Sequence, residues 1–491
     1  MLLRRLICGA LGYVIAVSVH AQEWQTNVEE FGEHLVASGA VPGMAIAVVQ
    51  GEQIIYRHSF GVADIHTGRK VDDDTYFYIA SSTKALTATA AALKAAHGHL
   101  DLDKPVTNYL PELAGSEWES RRVTLAELLS MRHGMKDDWP VVLRTAYTGN
   151  YTRSKLIDLL GSYQPSENGK SFHYDNLGYN VIGLVLGGKE KQGWKQVVHS
   201  EVLAPLGMNQ TTSKLTELKI EQVAMPHNIA SIPTNRLTLL KDDENLHAAG
   251  GHFSTASSLA RFVSAHINLG TFQGEQLLPA APLHLTQRVH AKQDRKFGDY
   301  QRTGWGYGWD IGRYEGELLL HRFGAFPGYR THMSFMPEHG VGVVVLANAS
   351  TPAVDLMANL VYETLLKKEG AQARFLDKLK VLEQRLAGYR ERYAKHLEER
   401  KQRAAPLAHP LEAYTGSYDN PELGVMTWRL NGNYLEVQMG VAHSPAEIYD
   451  AKVNAFRIEI TGGGRVAHFL VDESGSITGL RFLEREFKRR L

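Results

Sequence analysis

At 491 residues the chain is too long for a single ordinary core and predicts two or three domains. Its 44% hydrophobic content excludes a disordered chain. Lysine plus arginine and aspartate plus glutamate stand at 53 each, which removes the electrostatic case for a nucleic-acid or acidic-surface partner.

The N-terminus reads as a secretory signal over residues 1–21. Arg4 and Arg5 precede an apolar run from Leu6 to Val19, and Val19-His20-Ala21 forms a small-x-small cleavage site before Gln22. The run falls short of the ~20 residues a membrane span needs, so no stable span is expected after cleavage. Cys8, the one cysteine, lies inside this segment, and a mature chain without it has no disulfide, thiol nucleophile or cysteine metal site. An exported chain without disulfides points to a bacterial periplasmic or secreted protein.

Residues 22–370 mix strand and helix signals. Ala45 to Val49 and Ile54 to Tyr56 predict an early hairpin around Gly51. Phe77-Tyr78-Ile79 leads into Ser81-Ser82-Thr83-Lys84 and an alanine-rich helix ending at His97-Gly98. Met333 to Met336 and Val341 to Leu346 predict two late strands. Strands at both ends with helices between predict one antiparallel sheet built from both termini, flanked by helices and a helical region, an α/β (α+β) fold. Over 371–404 the apolar residues Phe375, Leu379, Leu382, Leu386, Tyr389, Tyr393 and Leu397 recur at spacings of four and three on a charged background. That predicts a long amphipathic helix, either packed along its own chain or pairing with a second copy as a homo-oligomer. Residues 405–491 contain five short strand candidates, from Thr427 to Phe482, with Asn431-Gly432 as a hairpin signal, and predict a small antiparallel barrel. Lys488-Arg489-Arg490 reads as a solvated tail.

Three clusters carry chemistry. Ser81 and Lys84 are one helical turn apart, so the amine can reach the hydroxyl at the helix N-terminus and activate it. Tyr174-Asp175-Asn176 places a phenol and an amide on one side of an extended turn; a phenol near an ammonium ion can act as a general base. Tyr418-Asp419-Asn420 repeats the tripeptide and is taken as chance. In Arg322-Phe323-Gly324-Ala325, Arg322 and Gly324 share a strand face, Gly324 permits close approach of a substrate, and the Ala325 and Ser81 N–H groups can form an oxyanion hole.

In this order the three clusters resemble the serine β-lactamase and penicillin-binding superfamily, and most closely the class C β-lactamases with their esterase and D-aminopeptidase relatives. Those carry S-x-x-K, then Y-x-N, then K-T-G or H-x-G. Leu100 to Val106, Val123 to Met135, Pro205 to Met208, Ala249 to Thr255 and Gly306 to Trp309 are similar to further landmarks of the family. The similarity covers roughly residues 30 to 365, and the C-terminal segment resembles the lipocalin-like domains appended to some of these hydrolases. The resemblance implies that Ser81 is the acylated nucleophile and Lys84 its activating partner. It makes Tyr174 the proton shuttle to the leaving group and to the deacylating water, and Asn176 the holder of the substrate amide. The substrate would be a small molecule or peptide, cell-wall-derived material included, and would be a β-lactam, an ester or a D-amino-acid peptide.

Arg322 departs from the family's lysine or histidine. Arginine stays charged and offers a bidentate fork, which suits a substrate carboxylate and not proton transfer. That departure motivates a rival reading, a weakly catalytic or non-catalytic penicillin-binding-like sensor of cell wall or ligand. Neither a cofactor nor a metal is expected. Gly183 to Lys189 imitates part of a P-loop, but Glu190 stands where Ser or Thr must bind magnesium, and the 22 histidines show no H-E-x-x-H spacing.

Overall fold

The computed structural model describes residues 24–136, 139–190, 193–403 and 406–490. The expected signal segment and Cys8 lie outside them. Nine strands form the large sheet: β1 (Gly43–Gln50), β2 (Gln53–Asp64), β3 (Arg69–Lys70), β4 (Ala291–Phe297), β5 (Tyr300–Trp305), β6 (Asp310–Tyr314), β7 (Glu317–Phe326), β8 (Tyr329–Met336) and β9 (Val341–Ala347). Their order is β4-β5-β6-β7-β8-β9-β1-β2-β3. β1 and β9 pair antiparallel, with Met44 opposite Ala347 and Gln50 opposite Val341, so the sheet is closed in the middle by strands from both ends of the domain.

The near-continuous apolar run of β1 follows from burial on both faces. Ala45, Ala47 and Val49 pack with the alanine-rich helix α1 (Thr83–Ala96) and with Leu259, Phe262 and Val263 of α3 (Ala256–Ile267). Met44, Ile46 and Val48 point the other way, against Met357, Leu360 and Val361 of α4 (Ala353–Leu365). A third core, containing Trp118, Leu128 and Leu156, builds the helical region and includes Val181 of α2 (Leu177–Gly187). Helix α1 lies between the first and third cores, contributing Ala85, Leu86 and Ala90 to one and Ala88 and Ala91 to the other. Its alanines are what allow an element to be enclosed on every side. Gly308, in the Gly306–Trp309 landmark, abuts α1 so tightly that a Cβ there would lie 2.6 Å from Ala85 Cα.

Helix α5 (Ala371–Lys401) follows. Its apolar seam packs on its own chain: Phe375 and Leu379 enter the core beneath the sheet, and Leu386 meets Ile229 and Ala349. Arg390 pins it further by donating to the carbonyls of Ile229 (3.0 Å) and Gly39 (3.1 Å).

The C-terminal strands close an eight-stranded antiparallel barrel: β10 (Gly416–Asn420), β11 (Gly424–Asn431), β12 (Tyr434–Met439), β13 (Ala442–Asp450), β14 (Ala455–Ile458), β15 (Arg465–Val471), β16 (Ile477–Phe482) and β17 (Arg485–Arg489). Tyr418, Trp428, Phe456, Phe469 and Phe487 fill its interior as an aromatic core. Three of these strands escaped the sequence reading. β10 holds the repeated Tyr-Asp-Asn, β13 contains Pro445, and β17 is charged except for the inward Phe487. Lys488 and Arg489 are therefore not a solvated tail. They lie in the closing strand, opposite Asp419 and Tyr418.

A π-helical turn at Leu143–Thr148 docks the barrel onto the larger domain. Leu143 joins the barrel core, Arg144 Nε donates to the Glu422 carbonyl at 2.6 Å, and the Val441 N–H donates to the Thr148 carbonyl at 2.8 Å. The buried guanidinium also donates to the Asn150 carbonyl at 2.7 Å. Substituting Arg144→Ala strands these carbonyls and is expected to cost about 2 kcal/mol of docking. The measurement is a lower urea midpoint together with faster proteolysis between residues 402 and 410.

Candidate active site

Ser81 sits in a 3₁₀ turn, Ala80–Ser82, immediately before α1. Ala80 has φ +44°, a left-handed conformation that costs a non-glycine residue of order 1–3 kcal/mol. The turn is fixed from both sides: the Ile79 N–H donates to the His252 carbonyl at 3.0 Å, and the Ser82 N–H donates to the Ile79 carbonyl at 3.0 Å. Ser82 Oγ donates to the Arg322 carbonyl at 3.2 Å, which ties the turn to β7. Gly324 completes that junction, since a Cβ there would stand 2.1 Å from the Ile79 carbonyl oxygen.

Lys84 is 0% exposed, and its Nζ lies 3.2 Å from Ser81 Oγ, 2.6 Å from Asn176 Oδ1 and 2.8 Å from the Ala249 carbonyl. Two of these neighbours are carbonyl oxygens that can only accept. They claim two N–H groups and leave the third position of the nitrogen to Ser81 and the Tyr174 hydroxyl. As an ammonium, Lys84 donates to Ser81 there; as an amine, it presents a lone pair to the Ser81 proton. Burial lowers the Lys84 pKa, the Tyr174 phenol opposes that, and Arg322 adds to the lowering.

Tyr174 lies against the same nitrogen, with Lys84 Nζ 5.2 Å from the ring centroid. Arg322 Nη2 approaches its hydroxyl at 3.3 Å. Burial alone would raise the phenol pKa. The charges of Arg322 and Lys84, with hydrogen bonds from Ser81 and Lys84, outweigh it and hold the phenol below its ordinary range. Asn176 is the N-cap of α2.

Two residues that the sequence reading passed over hold this loop. Asp175 is buried between Tyr174 and Asn176 and meets His133 Nε2 at 2.6 Å. His133 Nδ1 accepts from the Met135 N–H at 3.1 Å, so the ring proton is on Nε2 and is donated to Asp175. Burial would raise the Asp175 pKa, but His133 and the Gly178 N–H keep it below the usual carboxylate range. The sequence signal was present in the Leu128–Met135 landmark and in the middle residue of the Tyr-Asp-Asn tripeptide.

The structure thus brings Ser81, Lys84, Tyr174, Asn176, Arg322 and Gly324 together. Ala325 follows on the strand with its methyl exposed, lining a cavity of about 530 Å³ shared with Tyr389, Tyr393 and the barrel segment Gly462–Gly464. Arg322 needs correction. The fork expected to meet a substrate carboxylate is only 5% exposed and already engaged: Nε and Nη2 donate to the Phe323 carbonyl at 3.1 and 3.0 Å, and Nη1 pairs with Asp310 at 3.3 Å. Among the described residues no group of three or more His, Cys, Asp or Glu side chains could hold a metal ion.

Residues 27–366 match the family described as Beta-lactamase. The chain belongs to this family. Among curated relatives it is similar to Protein flp of Staphylococcus aureus (strain MW2), 24% identical over 336 residues. That match takes in 67% of this chain and spans 64% of the relative's length. Among solved structures it shares the fold of an octameric penicillin-binding protein homologue from Pyrococcus abyssi, with a TM-score of 0.59 and 19% identity over 95% of this chain and 99% of that one. A D-amino acid amidase from Ochrobactrum anthropi SV3, complexed with L-phenylalanine amide, also has a TM-score of 0.59, at 21% identity over 71% of this chain and 100% of that one.

Substituting His133→Ala leaves the Asp175 carboxylate buried without its donor and is expected to cost about 3 kcal/mol. Because the folded pKa of Asp175 lies below its unfolded value, its contribution is present above the ordinary carboxylate pKa and disappears as pH falls through the folded one. Melting curves of wild type and His133→Ala should therefore converge toward low pH.

Proposed function

We propose that this chain is an exported serine hydrolase that cleaves an amide or ester bond through an acyl-enzyme on Ser81. The observation that carries the reading is the buried Lys84 nitrogen, with Ser81 Oγ, Asn176 Oδ1 and the Ala249 carbonyl around it and the Tyr174 phenol alongside. Family membership supports serine chemistry. Among the described residues no helix is long and apolar enough to cross a membrane.

In the proposed reaction, Ser81 Oγ attacks the substrate carbonyl carbon and its proton passes to the Tyr174 phenolate. The oxyanion is met by the N–H groups of Ser81 and Ala325, and Asn176 holds the substrate amide. Tyr174 then gives the proton to the leaving nitrogen or oxygen as the carbonyl–heteroatom bond breaks. In the second half, Tyr174 takes a proton from water, the hydroxide attacks the acyl carbon, and Ser81 departs with that proton restored. Arg322 lies beside the Tyr174 hydroxyl, where its charge favours the phenolate, and this supports the hydrolase reading over that of a sensor. Substrate choice among ester, D-amino-acid amide and β-lactam then rests on the cleft walls.

Intact mass after exposure to a fluorophosphonate or a penicillin should show one adduct, absent in Ser81→Ala. An adduct that persists in the mutant means a different serine reacts; no adduct, and no turnover of a chromogenic ester, a D-amino-acid amide or nitrocefin, overturns the hydrolase reading. Tyr174→Phe should lower kcat by roughly 10²–10⁴-fold. The kcat/KM profile should rise with pH through the Tyr174 deprotonation, below the ordinary tyrosine range, and fall as Lys84 loses its proton, below the ordinary lysine range.

A further inference from the structure

We propose that Asp310 is a positioning residue that aims Arg322 at the Tyr174 phenol, with Arg302 as the second cation that keeps the carboxylate buried. The inference rests on the reading of Tyr174 as the base. Asp310 begins β6 directly opposite His321, one residue before Arg322 on β7. It is 1% exposed, and its oxygens take both guanidinium groups: Oδ2 faces Arg322 Nη1 at 3.3 Å and Oδ1 faces Arg302 Nε at 3.3 Å. Gln293 Nε2 donates to Oδ1 at 3.2 Å, beside the Arg322 Nη1 donor on Oδ2, while Arg302 neutralises the carboxylate by charge.

Geometry and charge both favour the phenolate. The Arg322 guanidinium carbon lies 5.0 Å from the Tyr174 ring centroid and 5.2 Å from that of Trp305. With Nη1 on Asp310 and Nε on the Phe323 carbonyl, the plane of the fork is set, and the remaining Nη2 hydrogen points to the phenol oxygen. A lone arginine in that slot would keep other rotamers. His321, which accepts from Arg302 Nε at 3.0 Å, is buried and kept neutral by burial and the arginine beside it. Two guanidinium charges against one carboxylate leave a single positive charge in the cluster. The groups facing Tyr174 are then Ser81 from the 3₁₀ turn, Lys84 from α1, Arg322 and Arg302 from the sheet, and Tyr179 from α2, with Asp175 acting on Lys84.

The direction of one shift separates positioning from simple neutralisation. If Asp310 only cancelled charge, removing it would leave the cluster more positive and lower the phenol pKa; if it aims Arg322, removing it lets the fork drift and the pKa rises. The test is ultraviolet difference titration of the phenolate in the full chain, with Tyr174→Phe as baseline. This readout needs no substrate, so it stands whether or not the Ser81 adduct is found. Asp310→Asn should move the phenolate step upward by on the order of one pH unit, a tenfold change in acidity. The acid limb of kcat/KM should move with it, with KM little altered. In an Arg322→Ala background Asp310→Asn should add nothing. Pairing Arg302→Met with Asp310→Asn removes one charge of each sign and should give the same upward shift, which covers the case in which the single variant does not fold. A downward shift, an unchanged titration, or additivity with Arg322→Ala overturns the proposal.

Discussion

A lysine amine with no exposed surface must find every partner inside the protein, and the arrangement around Ser81 follows from where Lys84 finds them. Taking an ammonium out of water costs several kcal/mol even after relaxation. The three oxygens that offset this come from three separate segments: the nucleophile turn, the loop ahead of α2, and the stretch ending at Ala249. Each segment is anchored elsewhere. Ala80 is locked in a left-handed turn by His252, the 174–176 loop is held by the His133–Asp175 pair, and α1 is enclosed by two cores. The surroundings of Ser81 therefore depend on the packing of the whole domain.

Beyond this first ring of contacts lies a second charge system. Arg322, Arg302 and Asp310 form a buried cluster whose positive edge meets the Tyr174 ring. Lys84 supplies positive charge from the other side. Desolvation penalises the phenolate, and two cations at short range outweigh that penalty. The substitution of arginine for the family's usual residue is thus accommodated by a carboxylate one strand away.

The barrel has a filled aromatic interior and meets the catalytic domain through side chains and backbone alike. Arg144 and Leu143 bind it to the π-helical turn, and the Gly462–Gly464 segment reaches the end of β7 near Phe326. Helix α5 runs between the two bodies, its first half sunk in the sheet's lower core and its last turn paired to the barrel through Arg400 and Glu447. The C-terminal domain accordingly borders the cavity beside Ala325 and Phe326, and Lys84's partners around Ser81 all come from the larger domain.

Much of this was legible in the chain itself. Short apolar runs and the alanine-rich helix reveal strands and helix because side-chain patterning along the chain is a local property. Ser81 and Lys84 could be paired for the same reason, being one turn apart on one helix. Residues that meet only across the fold were not legible. Asp310 is twelve positions from Arg322 yet touches it, because antiparallel pairing of β6 and β7 lays them side by side. His133 is 42 positions from Asp175, and the Ala249 carbonyl 165 from Lys84. Strands such as β17, whose charges point outward around a single buried Phe487, carry too weak a pattern to read alone. The sequence by itself determined the fold class, the helix start at Ser81 and Lys84, and the order of the three clusters. Only the tertiary structure decided that Arg322 turns to the Tyr174 hydroxyl, because its donors are shared among the Asp310 carboxylate, the Phe323 carbonyl and that hydroxyl, partners that no local pattern predicts.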